Sequence, residues 1–304
     1  MKILLACLNF KSLTGSELYF YDLAIALRLL GHDVSILANM KDGALHVDAE
    51  KRHKIKPYDL SLAPPPNSKF DVILASHRPI IESLIKQKMY GDTPIISINH
   101  SEVIPLEFPV IDDATNRICH YIAIRDSIKT FLCQKYFIED SDVSVIYNPI
   151  NTDRLLSRKP RPLKRKTVLF PATIDYLRIK TIEHLIAKSE EEDFDVVFVG
   201  NKNIDYTPTG KNVTYYPATW HIQGYYSRAT HTASILMGRT VIEGWFYGLP
   251  SYIYDIDKQG AIKGMELVEP PSREELFKKY NYKNVAHQIL DLVKTQLAKK
   301  HLAI

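Results

Sequence analysis

What most constrains this chain is a rhythm. Short, unbroken apolar runs rich in β-branched residues recur along it, each followed by a stretch with helical spacing. KILLACL, VSILA, DVILAS, PIISIN, YIAI and VSVIYN come before residue 150, and TVLFPA, DVVFVG, NVTYY, ASILM and SYIYD come after residue 166. Continuous rather than alternating hydrophobicity means burial on both faces, as a parallel sheet covered by helices requires. The sequence therefore predicts an α/β protein made of two doubly wound, Rossmann-like domains. The first helix is predicted over residues 16–30, where Leu18, Ala24, Leu27 and Leu30 recur on one face before a stop at Gly31.

A composition break falls in NPINTDRLLSRKPRPLKRK. It divides the chain into an N-terminal domain over residues 1–150, a basic linker over 151–166 and a second domain over 167–304. The last segment, NVAHQILDLVKTQLAKK, places Val285, Ile289, Leu292, Val293 and Leu297 on one face, so it reads as an amphipathic helix that must dock. The 304 residues suffice for two domains. Their 45% apolar and 24% charged content is that of a globular protein.

No run approaches the roughly 20 apolar residues that span a bilayer, and KILLACL is too short for a secretory leader. Cys7, Cys119 and Cys133 lack metal-ligand spacing and read as reduced core thiols, so a cytoplasmic location is expected. Residues 1–150 hold 16 Lys and Arg against 18 Asp and Glu, whereas the remainder holds 23 against 17. Much of that basic excess lies in RKPRPLKRK, which with its two prolines reads as a solvated linker rather than a nucleic-acid or membrane patch.

Ligands of open α/β sheets bind beyond the carboxyl ends of the strands, so chemistry is sought in those loops. The loop after the first run, LNFKSLTGSE, has one glycine and no G-x-G-x-x-G, which disfavours a dinucleotide enzyme. It still offers Gly15 and Ser16 at a helix start, where a bare backbone and free N–H groups face a ligand. MGRTVIEGWFYGLP is more informative. Gly238 turns the chain out of a strand, and Arg239 and Thr240 open a helix whose first N–H groups lack intrahelical partners, so backbone donors, the helix dipole and the Arg239 cation are expected to converge on a diphosphate. Glu243 then lies between Val241, Ile242, Trp245 and Phe246. Burying a carboxylate there costs several kcal/mol unless donors meet it, and the two hydroxyls of a ribose are suitable donors. The bland alternative is a charge held by the helix dipole alone.

Taken together, KILLACLNFKSLTGSELYFYDLAIALRLLGHDVSILA, SVIYNPINTDRL and GRTVIEGWFYGLPSYIYD resemble the GT-B glycosyltransferases, specifically the retaining family 4 type. The resemblance spans nearly the whole chain, with GHDV, VIYNPI and VIEGWFYGLP in the family's order. It implies two domains facing a cleft, with the acceptor held by the first, a nucleotide-sugar donor by the second, and a last helix free to cross back and pack on the first. It further implies transfer of a hexosyl or pentosyl group with retention of configuration, no metal and no cofactor beyond a UDP- or GDP-linked sugar as substrate. By the resemblance, Glu243 is the ribose ligand, and Gly238, Arg239 and Thr240 hold the diphosphate. Ile235 stands where the family has a first Glu that contacts the transferred sugar. In FPATIDYLRIKTIEHLI, Thr173 replaces an expected Arg, with Lys180 in place and Arg178 nearby to neutralise charge on the leaving group.

By the same resemblance His100, just past PIISIN, lies near the transferred sugar. His77 is a further cleft candidate, and His32 is better read as a helix-end residue. The Asp-x-Asp segments at 255–257 and 140–142 lack the context of a metal site, so no metal is expected. The acceptor class stays open among glycans, lipid-linked and small molecules, and peripheral membrane contact stays open with it. Two other functions remain. One is sugar transfer to modified bases of DNA, against which the acidic N-terminal half speaks. The other is nucleotide-sugar binding without catalysis, to which Ile235 and Thr173 point.

Overall fold

The computed structural model describes residues 1–11, 13–39, 43–60, 68–112, 115–161 and 163–302. Residue 12 of the first loop and residue 162 of the basic segment lie outside them. The chain divides into two units, one of Met1–Pro149 with Lys279–Ile304 and one of Ile150–Lys278.

The first unit contains β1 (Lys2–Asn9), α1 (Gly15–Leu29), β2 (Asp33–Asn39), α2 (Ala44–His53), β3 (Lys56–Asp59), β4 (Val72–Ala75), α3 (Arg78–Lys86), β5 (Ile95–Asn99), β6 (Ile118–Ala123), α4 (Asp126–Tyr136) and β7 (Val143–Val145). Its sheet is parallel throughout, in the order β3-β2-β1-β4-β5-β6-β7. The apolar runs become the buried centres of these strands: Ile3, Leu4, Leu5 and Ala6 are fully inaccessible, as are Ile73, Leu74 and Ala75. The first helix ends where predicted because Gly31 takes a left-handed φ of 84°, which costs a glycine nothing.

The second unit contains α5 (Thr152–Leu155), β8 (Thr167–Phe170), α6 (Ile179–Glu191), β9 (Asp195–Val199), β10 (Val213–Tyr216), α7 (Gln223–Tyr226), β11 (His231–Ile235), α8 (Arg239–Phe246), β12 (Ser251–Ile256) and β13 (Ile262–Val268), followed by α9 (Arg273–Tyr280). The strand order is β10-β9-β8-β11-β12-β13, and its last member pairs antiparallel with β12. Its core gathers Val168, Phe170, Phe194, Val196, Phe198 and Tyr254. Gly200 is required where β9 ends, since a Cβ there would stand 1.9 Å from the Ala172 carbonyl oxygen.

The final helix, α10 (Tyr282–Leu302), belongs to the first unit and packs on α1. Val285, Ile289 and Val293 are fully buried, joined by Ala286 and Leu290, while Leu292 and Leu297 lie at the margin. Gln296 ties the helix to β6 through His120 Nδ1 at 3.2 Å. The basic segment is strapped to the second unit: the Arg161 amide donates to the Ser227 carbonyl at 2.8 Å, and Arg165 and Lys166 pair with Asp193 and Glu192. Among the described residues no helix is long and apolar enough to cross a membrane, and the three cysteines are free thiols.

Candidate active site

In each unit the strand order reverses direction once, between β1 and β4 in the first and between β8 and β11 in the second. Loops leaving neighbouring strands diverge at such a point and open a crevice. The candidate residues of each unit collect at its reversal.

In the second unit the loop after β11 runs through Leu236, Met237 and Gly238 into α8. Leu236 has a left-handed φ of 59°, a strained conformation for a leucine of the kind that concentrates at functional sites. Gly238 is extended and no side chain caps the helix start. A Cβ on Gly238 would meet nothing within 4 Å, so its bare backbone faces open space. Thr240 donates its hydroxyl to Ser234 Oγ at 3.2 Å, which turns that side chain back onto β11.

Glu243 is buried, with 4% of its surface exposed, and its donors come from the chain itself. Arg239 Nε donates to Oε1 at 2.8 Å, and the Tyr226 hydroxyl donates to Oε2 at 3.1 Å. Tyr226 stacks on Tyr247 with ring centroids 5.7 Å apart, and Tyr247 donates to the Leu155 carbonyl. Burial, followed by the Glu243 charge, pushes the Tyr226 phenol well above its usual range, so it serves as a donor. Contrary to the expectation that its cation meets a diphosphate, the Arg239 side chain faces Glu243, while the backbone of the same turn forms the open helix start. A carboxylate has about four lone-pair directions, so two remain for further donors.

The loop after β8, the neighbour of β11, leads to α6. Arg178 occupies the N-cap position of that helix without a side-chain cap and pairs with Asp175, while its Nε is buried without a partner among the described residues. Lys180 is exposed in the first turn. Asp257, from the first Asp-x-Asp segment, accepts the amides of Gln259 and Ala261, each at 2.8 Å. The Ala261 amide is the main reason its carboxyl is held low, with Lys180 contributing charge. Asp140 and Asp142 lie in a one-turn 3-10 helix before β7. Among the described residues no three His, Cys, Asp or Glu side chains gather as metal ligands would.

At the reversal of the first unit, a Cβ on Gly15 would meet open space, and Ser16 follows it in the first turn of α1. Glu17 is buried and accepts the Lys11 amide at 3.2 Å, closing the loop after β1. His77 follows β4 with a left-handed φ of 70°. Its Nδ1 receives the Leu8 amide at 3.3 Å and lies 2.9 Å from Ser76 Oγ, while Nε2 lies 3.0 Å from Glu107 Oε1. His100, after β5, stacks against His77 at 6.3 Å and meets Tyr19 edge-on at 4.8 Å. Burial lowers the His100 imidazole to about 4, with Glu107 opposing and His77 adding to the shift. Burial raises the Glu107 carboxyl, but the hydrogen bond from His77, with electrostatic attraction from the His100 and His77 rings, outweighs this and holds it low. His32 is placed apart from this group, beside the N-terminal amine at 3.2 Å.

The sequence had not pointed to Tyr226 or Glu107. Tyr226 lies 17 residues from its partner, outside any recognisable spacing. Glu107 did carry a signal, since it is a lone carboxylate in VIPLEFPVI, the same pattern that singles out Glu243.

Residues 13–154, most of the first unit, match the profile of Glycosyltransferase Family 4. Over that stretch the chain is similar to family 4 glycosyltransferases. Across both units the chain has the GT-B fold, shared with solved structures at low identity. Anabaena Alr3699/HepE, solved in complex with UDP and glucose, is 15% identical with a TM-score of 0.71, covering 97% of this chain and 99% of its own. A glycosyltransferase from Rickettsia africae is 14% identical with a TM-score of 0.69, covering 97% and 98%. Sucrose-phosphate synthase from Thermosynechococcus elongatus is 14% identical with a TM-score of 0.66, covering 98% and 100%. No curated protein matches the sequence.

Proposed function

We propose that this glycosyltransferase moves a sugar from a nucleotide-diphosphate sugar to an acceptor hydroxyl, with retention of configuration and without a metal ion. The observation that carries this reading is the start of α8, where the open backbone at Gly238 stands at the strand reversal above the buried Arg239–Glu243 pair. Free amides and the positive end of the helix dipole suit a diphosphate. The two remaining lone-pair directions of Glu243 suit a ribose. HepE, of like fold, has been solved with UDP and with UDP-glucose, which supports a UDP-linked donor.

In the reaction, the bond from the anomeric carbon to the diphosphate breaks and its electron pair stays with the diphosphate. The acceptor oxygen forms the new bond and its proton leaves toward the diphosphate. Lys180, Arg178 and the α8 amides stabilise the charge that develops on the leaving group, the task a metal performs elsewhere. Gly15 and Ser16 open α1 toward the ligand in the first unit.

A thermal-shift panel of UDP, GDP, ADP and their sugars tests the reading. At 100 times its dissociation constant a true ligand stabilises by about 2.7 kcal/mol. At least one nucleotide should raise the transition, and should do so equally in excess EDTA. A flat panel overturns donor binding, and a shift that EDTA abolishes and Mg²⁺ restores overturns metal independence.

A further inference from the structure

Among the buried polar atoms of the first unit that have no hydrogen-bond partner among the described residues are Glu107 Oε2, His100 Nε2 and the Tyr19 hydroxyl. They belong to one cluster. Tyr19 meets His100 edge-on, His100 stacks on His77, and His77 bonds Glu107. Leaving such atoms unmade costs free energy, and the cost is recovered when a ligand brings matching polar groups.

The protonation pattern specifies those groups. His77 Nδ1 accepts the Leu8 amide, so the ring proton lies on Nε2 and is donated to Glu107 Oε1. This fixes the carboxylate and leaves Oε2 as an acceptor with no donor. The carboxyl is held low, so Glu107 is ionised and takes no proton. Its residue is 8% exposed, which makes Oε2 a sequestered charge-assisted acceptor. His100, held neutral, offers one donor and one acceptor on its ring, and Tyr19 offers a donor that burial keeps protonated. A group that donates and accepts at once completes all three, and adjacent hydroxyls on a ring do so.

We infer that Glu107, positioned by His77, is a substrate-binding residue that receives a ring hydroxyl of a sugar, with His100 pairing to the same or the neighbouring hydroxyl. The left-handed φ of His77 at the strand reversal accords with a side chain held in place for a ligand. The inference depends on the proposed transfer reaction only for whether the ring belongs to the donor or to a sugar-terminated acceptor.

The test is an imidazole ¹⁵N NMR titration of the full chain with free glucose, galactose, mannose, N-acetylglucosamine and myo-inositol, with cyclohexanol as a ring bearing one hydroxyl. At least one polyol should give saturable shifts at His100 and His77, and cyclohexanol should give none. Glu107→Gln keeps the bond from His77, since its amide oxygen accepts, but turns the free oxygen into a donor. Affinity should fall about tenfold to a hundredfold. Glu107→Asp, which keeps the charge and withdraws it, serves as a second comparison if the Gln variant fails to fold.

Absence of polyol shifts in the wild type, or shifts that persist at full affinity in the variants, overturns the inference. UDP-sugars that shift His100 where UDP does not assign the ring to the donor. Free sugar that still shifts it after nucleotide-sugar saturation assigns the ring to the acceptor. Polyol binding without any nucleotide binding keeps this site and rejects the transfer reaction.

Discussion

Arg239 and Glu243 stand one turn apart on α8 and close a 2.8 Å ion pair with only 6% and 5% of their side chains exposed. The Tyr226 hydroxyl occupies the second carboxylate oxygen at 3.1 Å. The carboxylate that looked in need of a ligand is therefore met first by its own chain. It has a structural task, and any ribose adds to that task.

The pair makes Glu243→Gln doubly informative. Removing one charge of a buried pair strands the other, although glutamine still accepts a hydrogen bond, so the variant should lose about 1–3 kcal/mol of unfolding free energy in urea. Arg239→Leu with Glu243→Leu should cost less than the two changes added together. Wild type should prefer UDP over 2′-deoxy-UDP in calorimetry, and Glu243→Gln should largely lose that preference. A destabilised variant that keeps the full ribose preference would leave Glu243 as an anchor of α8 alone.

Lys180 offers a cleaner separation of roles, because it is exposed and takes no part in the core. Lys180→Ala should leave the unfolding transition unchanged while lowering kcat/KM by about two orders of magnitude, or about 2.7 kcal/mol of transition-state stabilisation. The measurement uses whichever nucleotide sugar wild type turns over. An effect below about threefold would return Lys180 to the solvated surface.

The strands were legible where both faces are buried, and the exceptions have a physical cause. KPYD and IKGMELV form edge strands β3 and β13, which carry Lys, Pro, Gly and Glu because each has only one neighbour and an open face. Neither shows an apolar run. The start of α8 was legible because glycine, helix start and lone carboxylate are consecutive. Of the cluster of Tyr19, His77, His100 and Glu107 only the two histidines were singled out, because its members come from four loops and helices that only the sheet order brings together. The motif that found Glu243 applied equally to Glu107, but Pro105 and Pro109, within VIPLEFPV, hid the short turn that buries it.

Acid should loosen the first unit. Burial lowers the His120 imidazole to about 4, with Lys299 and Lys129 adding to the shift and Asp142 opposing it, and the ring lies between Ser144 and Gln296 of α10. An unfolded histidine titrates near 6.5. The unfolded chain therefore binds a proton that the folded chain refuses. Stability is complete above about pH 6.5 and falls as pH drops toward 4, by up to about 3 kcal/mol for this residue. Urea unfolding across that window should show the fall, and His120→Gln should flatten its slope by about one proton. An identical slope in the variant would assign the acid sensitivity elsewhere.

Gly238 separates packing from binding. It has no left-handed φ to protect, and a Cβ there would meet nothing within 4 Å. Gly238→Ala should therefore fold as well as wild type, within about 0.5 kcal/mol. If the glycine exists so that a diphosphate can approach the backbone, the added methyl lies in the ligand's path and nucleotide-diphosphate affinity should fall about tenfold or more. Gly200→Ala is the opposite control. Its Cβ would press into the Ala172 carbonyl at 1.9 Å, so stability should collapse before binding can be read. Calorimetry with the nucleoside diphosphate found in the panel decides the matter for Gly238. Unchanged affinity in a folded Gly238→Ala protein would remove the start of α8 from the phosphate site, and the left-handed φ of 59° at Leu236 would then have no ligand to account for it.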